Sequence, residues 1–458
     1  MNPFATASQI AAAVREGRVS ASAVIEACLA RIERLNPVLN AFTAVTADRA
    51  RAKAAASDAG AIKGPLAGVP FAVKNLIDIA GLPTLAGSKI NRDHPPAAAD
   101  APLVSRLEAA GAILVGALNM GEYAYDFTGE NAHAGPSRNP HDIARMSGGS
   151  SGGSGSAVGG GLVPLALGSD TNGSIRVPSS FCGLFGLKPT YGRLTRAGSF
   201  PFVSSLDHLG PFALSALDLA TAYDAMQGHD PEDPVSANRP VEPVSGGLER
   251  GIGGLRIAAA GGYFRAGASP EALAAVDSIA AALGATGTVT IPDARVARSA
   301  AYVITTTEGA ALHLERLRSR PDDFDPDVRD RLVAGALVPA AAAVQAQKFR
   351  RRFRDQVLRL FDSVDAILAP ATPCVAPLIG QKTFVLDGQE VPLRPNIGIY
   401  TQPISFIGLP VVAVPVPAAS GLPIGVQIIA APWREDLALR IARYLEVNGA
   451  ARTLQPDL

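Results

Sequence analysis

The chain has little of several things that would place it elsewhere. Its 3 cysteines, Cys28, Cys182 and Cys374, are scattered over 458 residues with no CxxC spacing. That excludes a disulfide framework and predicts a reducing compartment, the cytoplasm. A charge of one sign is missing: Lys+Arg 41 balance Asp+Glu 41. Zero net charge argues against nucleic acid or an anionic membrane as the main partner. No apolar run reaches the roughly 18 residues a transmembrane helix needs. The start, MNPFATASQIAAAVREG, lacks a basic segment followed by an apolar one, so no signal peptide is expected. The 6 histidines never pair at i, i+3 or i, i+4. A zinc hydrolase is therefore not expected, and no metal site is predicted. No internal repeat is visible.

What stands out is the segment from Met146 to Pro178, MSGGSSGGSGSAVGGGLVPLALGSDTNGSIRVP. Gly costs about 1 kcal/mol relative to Ala inside a regular element, so this density of Gly and Ser needs a reason. A flexible linker fits poorly, because the apolar run Leu162–Leu167 interrupts it and Asn172-Gly173-Ser174 follows at once. The pattern predicts a loop, a helix, a strand over 162–167 and a second loop, with Ser150 and Ser174 facing one site. A phosphate cradle is the first alternative. No Gly-Lys-Ser/Thr is present, and Gly153, Gly155 and Gly159 make GxGxxxG rather than the dinucleotide fingerprint. Gly148-x-Ser150-x-Gly152 matches a serine-hydrolase elbow formally, yet no histidine stands out as its base.

The rest of the chain alternates strands and helices, which predicts a mixed or largely parallel sheet covered on both faces. Ser20 caps a helix over 21–35 that Pro37 ends. Residues 41–58 read as another helix. Gly68–Asn75 reads as a short apolar strand carrying Lys74, Leu103–Ala110 as a helix and Ala112–Gly116 as a buried strand. Prolines 231, 234, 240 and 243 mark a boundary between 228 and 254. Beyond it come a strand from Leu255, a helix over 270–283, a helical Arg-rich stretch over 301–363, and strands at 365–370, 410–417 and 425–429. The basic run Lys348–Arg354 reads as a solvated helix or a subunit contact.

Lys74 is the residue best placed to act as a base. Burial at a strand end disfavours an ammonium and brings lysine within reach of neutral pH. A surface lysine or an ion pair with Asp78 is the plainer alternative. Cys182, between Phe181 and Gly183, reads as a buried thiol.

On these residues the chain resembles the amidase signature family. The matching segments are GVPFAVKN at 68–75, GENAHAGPSRNPHDIARMSGGSSGGSGSAV at 129–158 and LALGSDTNGSIRVPSSFCGLFGLKPTYGRL at 165–194. Weaker matches run through DAILAPATP at 365–373 and GIYTQPISFIGLPVVAVP at 398–415 to GLPIGVQIIAAP at 421–432. The resemblance implies an α/β amidase-signature fold, a central mixed twisted sheet with helices on both faces. It implies one domain over 1–458: N-terminal helices 5–58, a catalytic core 60–228, a smaller region 254–363 and a completing part 364–458.

It also implies a Ser–cisSer–Lys triad with Ser174 as nucleophile, Ser150 as relay after a cis peptide, and Lys74 as neutral base. Ser151 is the rival relay and a candidate substrate contact. The N–H groups of Thr171, Asn172, Gly173 and Ser174 would form the oxyanion hole, where losing one donor typically costs about 3–4 kcal/mol. Asn172 replaces the family's usual glycine, and Asn tolerates left-handed geometry. Asp170 reads as scaffold. Arg176 is a loop clamp or a carboxylate receptor. No cofactor is implied.

Within the family, AYDFTGENAHAGPSRNP at 124–140, Asn172 and LRPNIGIYTQPISFIGLP resemble the carboxybiuret hydrolase group. That implies ammonia release from a small carboxylated ureide, with a small accessory subunit beside a homodimeric core. Arg394 is a candidate receptor for a substrate carboxylate, and Tyr125 and Tyr400 are candidate pocket walls. The alternative is the amidase component of a tRNA-dependent amidotransferase, against which Asn172 weighs; a general small-amide amidase is a third reading.

Overall fold

The computed structural model describes residues 2–458. Its frame is one 11-stranded sheet. In spatial order the strands are Phe42–Val45, Ile113–Leu118, Pro70–Lys74, Leu165–Ser169, Leu209–Ala213, Phe185–Lys188, Val411–Pro417, Pro423–Ala430, Ala366–Pro370, Ile257–Ala260 and Gly287–Val289. The sheet is mixed. Pro70–Lys74 runs parallel to both of its neighbours, Ile113–Leu118 and Leu165–Ser169. The next five pairings, from Leu165–Ser169 across to Ala366–Pro370, are antiparallel. Strands before and after the proline-rich segment 228–254 share this sheet.

Local sequence explains the elements that position the site. Pro70–Lys74 and Leu165–Ser169 are buried along their whole length. Parallel strands covered on both faces carry continuous apolar runs rather than alternation. Both strands end at the same edge of the sheet, and in open α/β sheets ligands collect outside the carboxyl ends of the strands. Leu165–Ser169 lies later than the 162–167 expected, because Pro164 has no N–H to give the ladder. Pairing begins after it and carries the strand on to Ser169.

Two other expectations needed correction. Helix Ala21–Leu39 has the Ser20 cap but passes through Pro37. It ends instead at Asn40, whose left-handed backbone (φ 50) closes the last turn, with its N–H on the Asn36 carbonyl at 2.8 Å. The 41–58 region splits. Phe42–Val45 pairs with Ile113–Leu118 as a strand, and only Ala47–Asp58 is helical. The aromatic and β-branched residues Phe42, Thr43 and Val45 fit a pleated surface better than a helix.

Candidate active site

Lys74 is the last residue of its strand and is fully buried. Its Nζ lies 2.7 Å from Ser150 Oγ, 2.8 Å from Ser169 Oγ and 3.0 Å from Ser151 Oγ. Among the described residues no carboxylate pairs with it. Asp78 accepts from the Thr84 hydroxyl instead, so the expected alternative ion pair is not formed. Burial lowers the Lys74 pKa from 10.5 to about 7, against the opposing pull of Asp207, Asp170 and Asp126.

The neighbouring serines differ in what else they touch. The Gly149–Ser150 peptide is cis. Gly149 is the residue that fits there, because a Cβ would lie 2.2 Å from Asp126 Oδ2. Ser150 Oγ has Lys74 as its one side-chain partner among the described residues. Ser151 Oγ instead donates to the Ser169 carbonyl at 3.1 Å and accepts from the Ser169 N–H at 3.3 Å. Its proton is committed to the backbone, which leaves Ser150 as the hydroxyl free to move one. Neither Ser150 nor Ser151 lines the pocket, so Ser151 is not the substrate contact expected of it.

The loop after Ser169 is held from behind by a buried clamp. Arg176 Nη2 and Nε donate to Asp170 Oδ1 and Oδ2 at 2.9 and 3.0 Å. Its Nη1 reaches Gln427 Oε1 at 2.7 Å and the Thr401 carbonyl at 3.1 Å, and Nη2 also meets Ser405. All five guanidinium N–H groups are thereby used, so Arg176 clamps the loop and has no donor left for a substrate carboxylate. Burial alone would raise the Asp170 pKa, but Arg176 holds it well below the usual carboxylate range.

In front of the clamp, Thr171, Asn172, Gly173 and Ser174 donate their N–H groups to no acceptor among the described residues. Four free consecutive donors in a buried loop make a site for an oxygen anion. Gly173 supplies the turn, at φ +143, and a Cβ there would sit 2.2 Å from Thr401 Oγ1. Asn172 is not left-handed, so the backbone tolerance of its residue type goes unused. Its side chain turns to the helix Ala294–Ser319, where Nδ2 donates to Thr305 Oγ1 at 2.9 Å. Thr171 Oγ1 donates to Asp207 at 2.6 Å.

Ser174 lines a pocket with Tyr125, Asn172, Thr305, Arg331 and Gln402. Its hydroxyl makes no hydrogen bond among the described residues, so the continuous serine line that the resemblance implies stops at Ser150. A hydroxyl left free to rotate at a pocket wall closes such a bond when a substrate orders it.

Tyr125 is in the pocket wall as expected, and its hydroxyl is buried without a partner. Arg394 and Tyr400 are not in that wall. Arg394 is ion-paired to Asp126, Glu130 and Asp327 at 2.8, 3.1 and 3.1 Å, which neutralises it. Tyr400 is buried, with its hydroxyl on the Ala266 carbonyl at 2.6 Å.

The cation that does reach the pocket is Arg331, from the helix Pro326–Ala336. Its guanidinium lies 3.9 Å from the centre of the Tyr125 ring and donates to the carbonyls of Tyr125 and Asp327, with no carboxylate paired to it among the described residues. Sequence reasoning missed Arg331 because nothing local separates it from the other arginines of that helical region. It missed Ser169 for a topological reason: the contact with Lys74 depends on two strands being parallel neighbours.

A buried lysine among serines, beside a serine on a loop of free N–H groups, defines a serine amidohydrolase site. The amidase family model matches residues 23–439, and the chain belongs to that family of hydrolases acting on carbon–nitrogen bonds. It is 55% identical over 450 residues to AtzE, the 1-carboxybiuret hydrolase component of Pseudomonas sp. (strain ADP), covering 97% of this chain and 98% of that one. A glutamyl-tRNA(Gln) amidotransferase component of Anaeromyxobacter dehalogenans (strain 2CP-C) is 39% identical, over 95% of this chain and 94% of its own. Among solved structures, one described as a vestigial protein complex that reveals the evolutionary origins of an s-triazine catabolic enzyme superposes with a TM-score of 0.97 at 54% identity, covering 98% of this chain and 100% of that one. The 6-aminohexanoate cyclic dimer hydrolase superposes with a TM-score of 0.88 at 30% identity, covering 98% of each chain.

Proposed function

We propose that the chain hydrolyses a small carboxylated ureide, 1-carboxybiuret, to urea-1,3-dicarboxylate and ammonia, with Ser174 as nucleophile, Ser150 as proton relay and Lys74 as base. The observation that carries the reading is Lys74: buried, with its pKa lowered to about 7 so that a large share of it is uncharged at neutral pH, and 2.7 Å from a serine whose proton is free. Ser174 Oγ attacks the amide carbon and passes its proton to Ser150, which passes its own to Nζ. The oxygen anion of the tetrahedral intermediate sits on the N–H groups of 171–174. The proton then returns through Ser150 to the leaving nitrogen, the C–N bond breaks and ammonia departs. Water, deprotonated through the same relay, hydrolyses the ester on Ser174 and releases the carboxylate.

The uncompensated charge of Arg331 supports a substrate bearing a carboxylate, and the orphan Tyr125 hydroxyl offers it a further hydrogen bond. The high identity to a carboxybiuret hydrolase component supports the ureide. A small accessory subunit beside a homodimeric core, in the cytoplasm, completes the proposal; the solved relative described as a complex supports the partner.

The test is ammonia release from 1-carboxybiuret, biuret, simple amides and glutamine. The reading requires 1-carboxybiuret to be preferred, and Arg331→Ala to raise KM at least about tenfold while biuret turnover changes little. Ammonia from glutamine alone, and only with tRNA-amidotransferase partners present, would overturn it.

A further inference from the structure

Several arginines lie far from the chemistry just described, and they converge on the protein's only tryptophan. A cleft of about 770 Å³ opens beside Trp433, at the start of the helix Glu435–Val447. Arg193, Arg239, Arg250, Arg434 and Arg440 line it, against the carboxylates of Glu242, Glu435 and Asp436.

These charges are unequally satisfied. Arg193 is locked by Tyr223, Gln227 and Glu242, and Arg434 pairs with Asp436. Glu435 is buried and accepts from the Thr190 N–H at 2.7 Å. Arg239 has one ion pair, with Glu242 at 3.3 Å. Among the described residues Arg250 and Arg440 have no ion pair at all. The Nε atoms of Arg239 and Arg440 are buried with no hydrogen-bond partner. A buried donor left unpaired costs free energy that a bound acceptor recovers.

Trp433 adds an independent sign. It holds a left-handed backbone, φ 68, which is strained for a bulky residue and which its N–H secures on Thr190 Oγ1 at 2.8 Å. Arg239 stacks 4.7 Å from the centre of its ring. Trp433 also borders a second cleft of about 310 Å³, whose lining includes Arg350, Arg351 and Arg354 and no carboxylate. The basic run noted in the sequence thus faces the same tryptophan. Cationic residues exceed acidic ones in both clefts, although the whole chain is neutral.

We propose that the Trp433 cleft binds a small multivalent oxyanion, held by Arg239, Arg250 and Arg440 and reported by the indole. Phosphate and carboxylate share the needed chemistry, acceptor oxygens that guanidinium forks pair with. The inference stands apart from the reading of the amidase site.

Because the chain has 1 tryptophan, its fluorescence reads this site alone. The full chain is titrated at constant ionic strength with tripolyphosphate, ADP and citrate, with chloride as control. Saturable change with at least one of the three is expected, and chloride should give none. Preference for ADP assigns a nucleotide, for tripolyphosphate a bare phosphate chain, and for citrate a carboxylate metabolite. Arg440→Ala and, separately, Arg239→Gln should weaken binding about tenfold or more, equivalent to about 1.4 kcal/mol. Amide hydrolysis without the anion should be unchanged, which shows the variants folded. No saturable change into the millimolar range overturns the proposal. So does binding that survives both substitutions.

Discussion

Lys74→Met should make the protein more stable near neutral pH and less stable in alkali. Lysine carries an ordinary pKa of 10.5 into the unfolded chain, whereas burial holds it at about 7 in the fold. Between those values the unfolded state binds one more proton than the native state, so wild-type stability rises with pH. Below pH 7 the full penalty applies, of order 5 kcal/mol at about 1.36 kcal/mol per pKa unit. Methionine removes it and also removes the contacts to Ser150, Ser151 and Ser169, at about 1 kcal/mol each. The variant should therefore gain about 2 kcal/mol near pH 6.5 and lose about 2 kcal/mol near pH 10, its advantage falling by about 1.4 kcal/mol per pH unit between. Urea unfolding of both proteins at pH 6.5, 8 and 9.5 measures this. A stability difference flat across that range would refute the claim that Lys74 is held neutral by burial.

Three further outcomes follow from the same geometry. The kcat/KM should fall about tenfold per pH unit below pH 7 and level off above it, because the neutral amine is the active form and its pKa is about 7. Ser150→Ala should lower kcat by about 10³-fold or more, while Ser151→Ala, whose proton is tied to the Ser169 carbonyl, should cost less than about tenfold; steady-state ammonia assays separate the two. Gly173→Ala should lower kcat by about 10²-fold and stability by about 1–3 kcal/mol, since its Cβ would collide with Thr401 Oγ1 at 2.2 Å. Kinetics paired with a thermal melt check both halves of that outcome.

The site is legible where its chemistry is local. The Ser-Gly block puts Ser150 and Ser174 on their loops, and the apolar run into Lys74 reads correctly as a strand that ends in a buried amine. The mixed sheet follows from the alternation of strands and helices. What the sequence hides depends on approach between distant segments. The sequence leaves Arg176 as clamp or receptor and Arg394 as a receptor, and only the fold brings Gln427, Thr401 and Ser405 to the first and Asp126, Glu130 and Asp327 to the second. Arg331 looks like one more helical arginine and is a pocket cation. The sequence draws attention to the backbone tolerance of Asn172, but its side-chain amide, bonded to Thr305, is what distinguishes it. A charged side chain's role is set by which partners remain unpaired, and that count requires three dimensions.

The most direct test of the central claim is to find where the acyl group sits. The enzyme is mixed with its amide substrate, quenched in acid within the first turnovers, digested and read by peptide mass spectrometry. The account predicts an ester on Ser174, absent in Ser174→Ala. An acyl group on Ser150, Ser151 or Cys182, or full activity in Ser174→Ala, would contradict it.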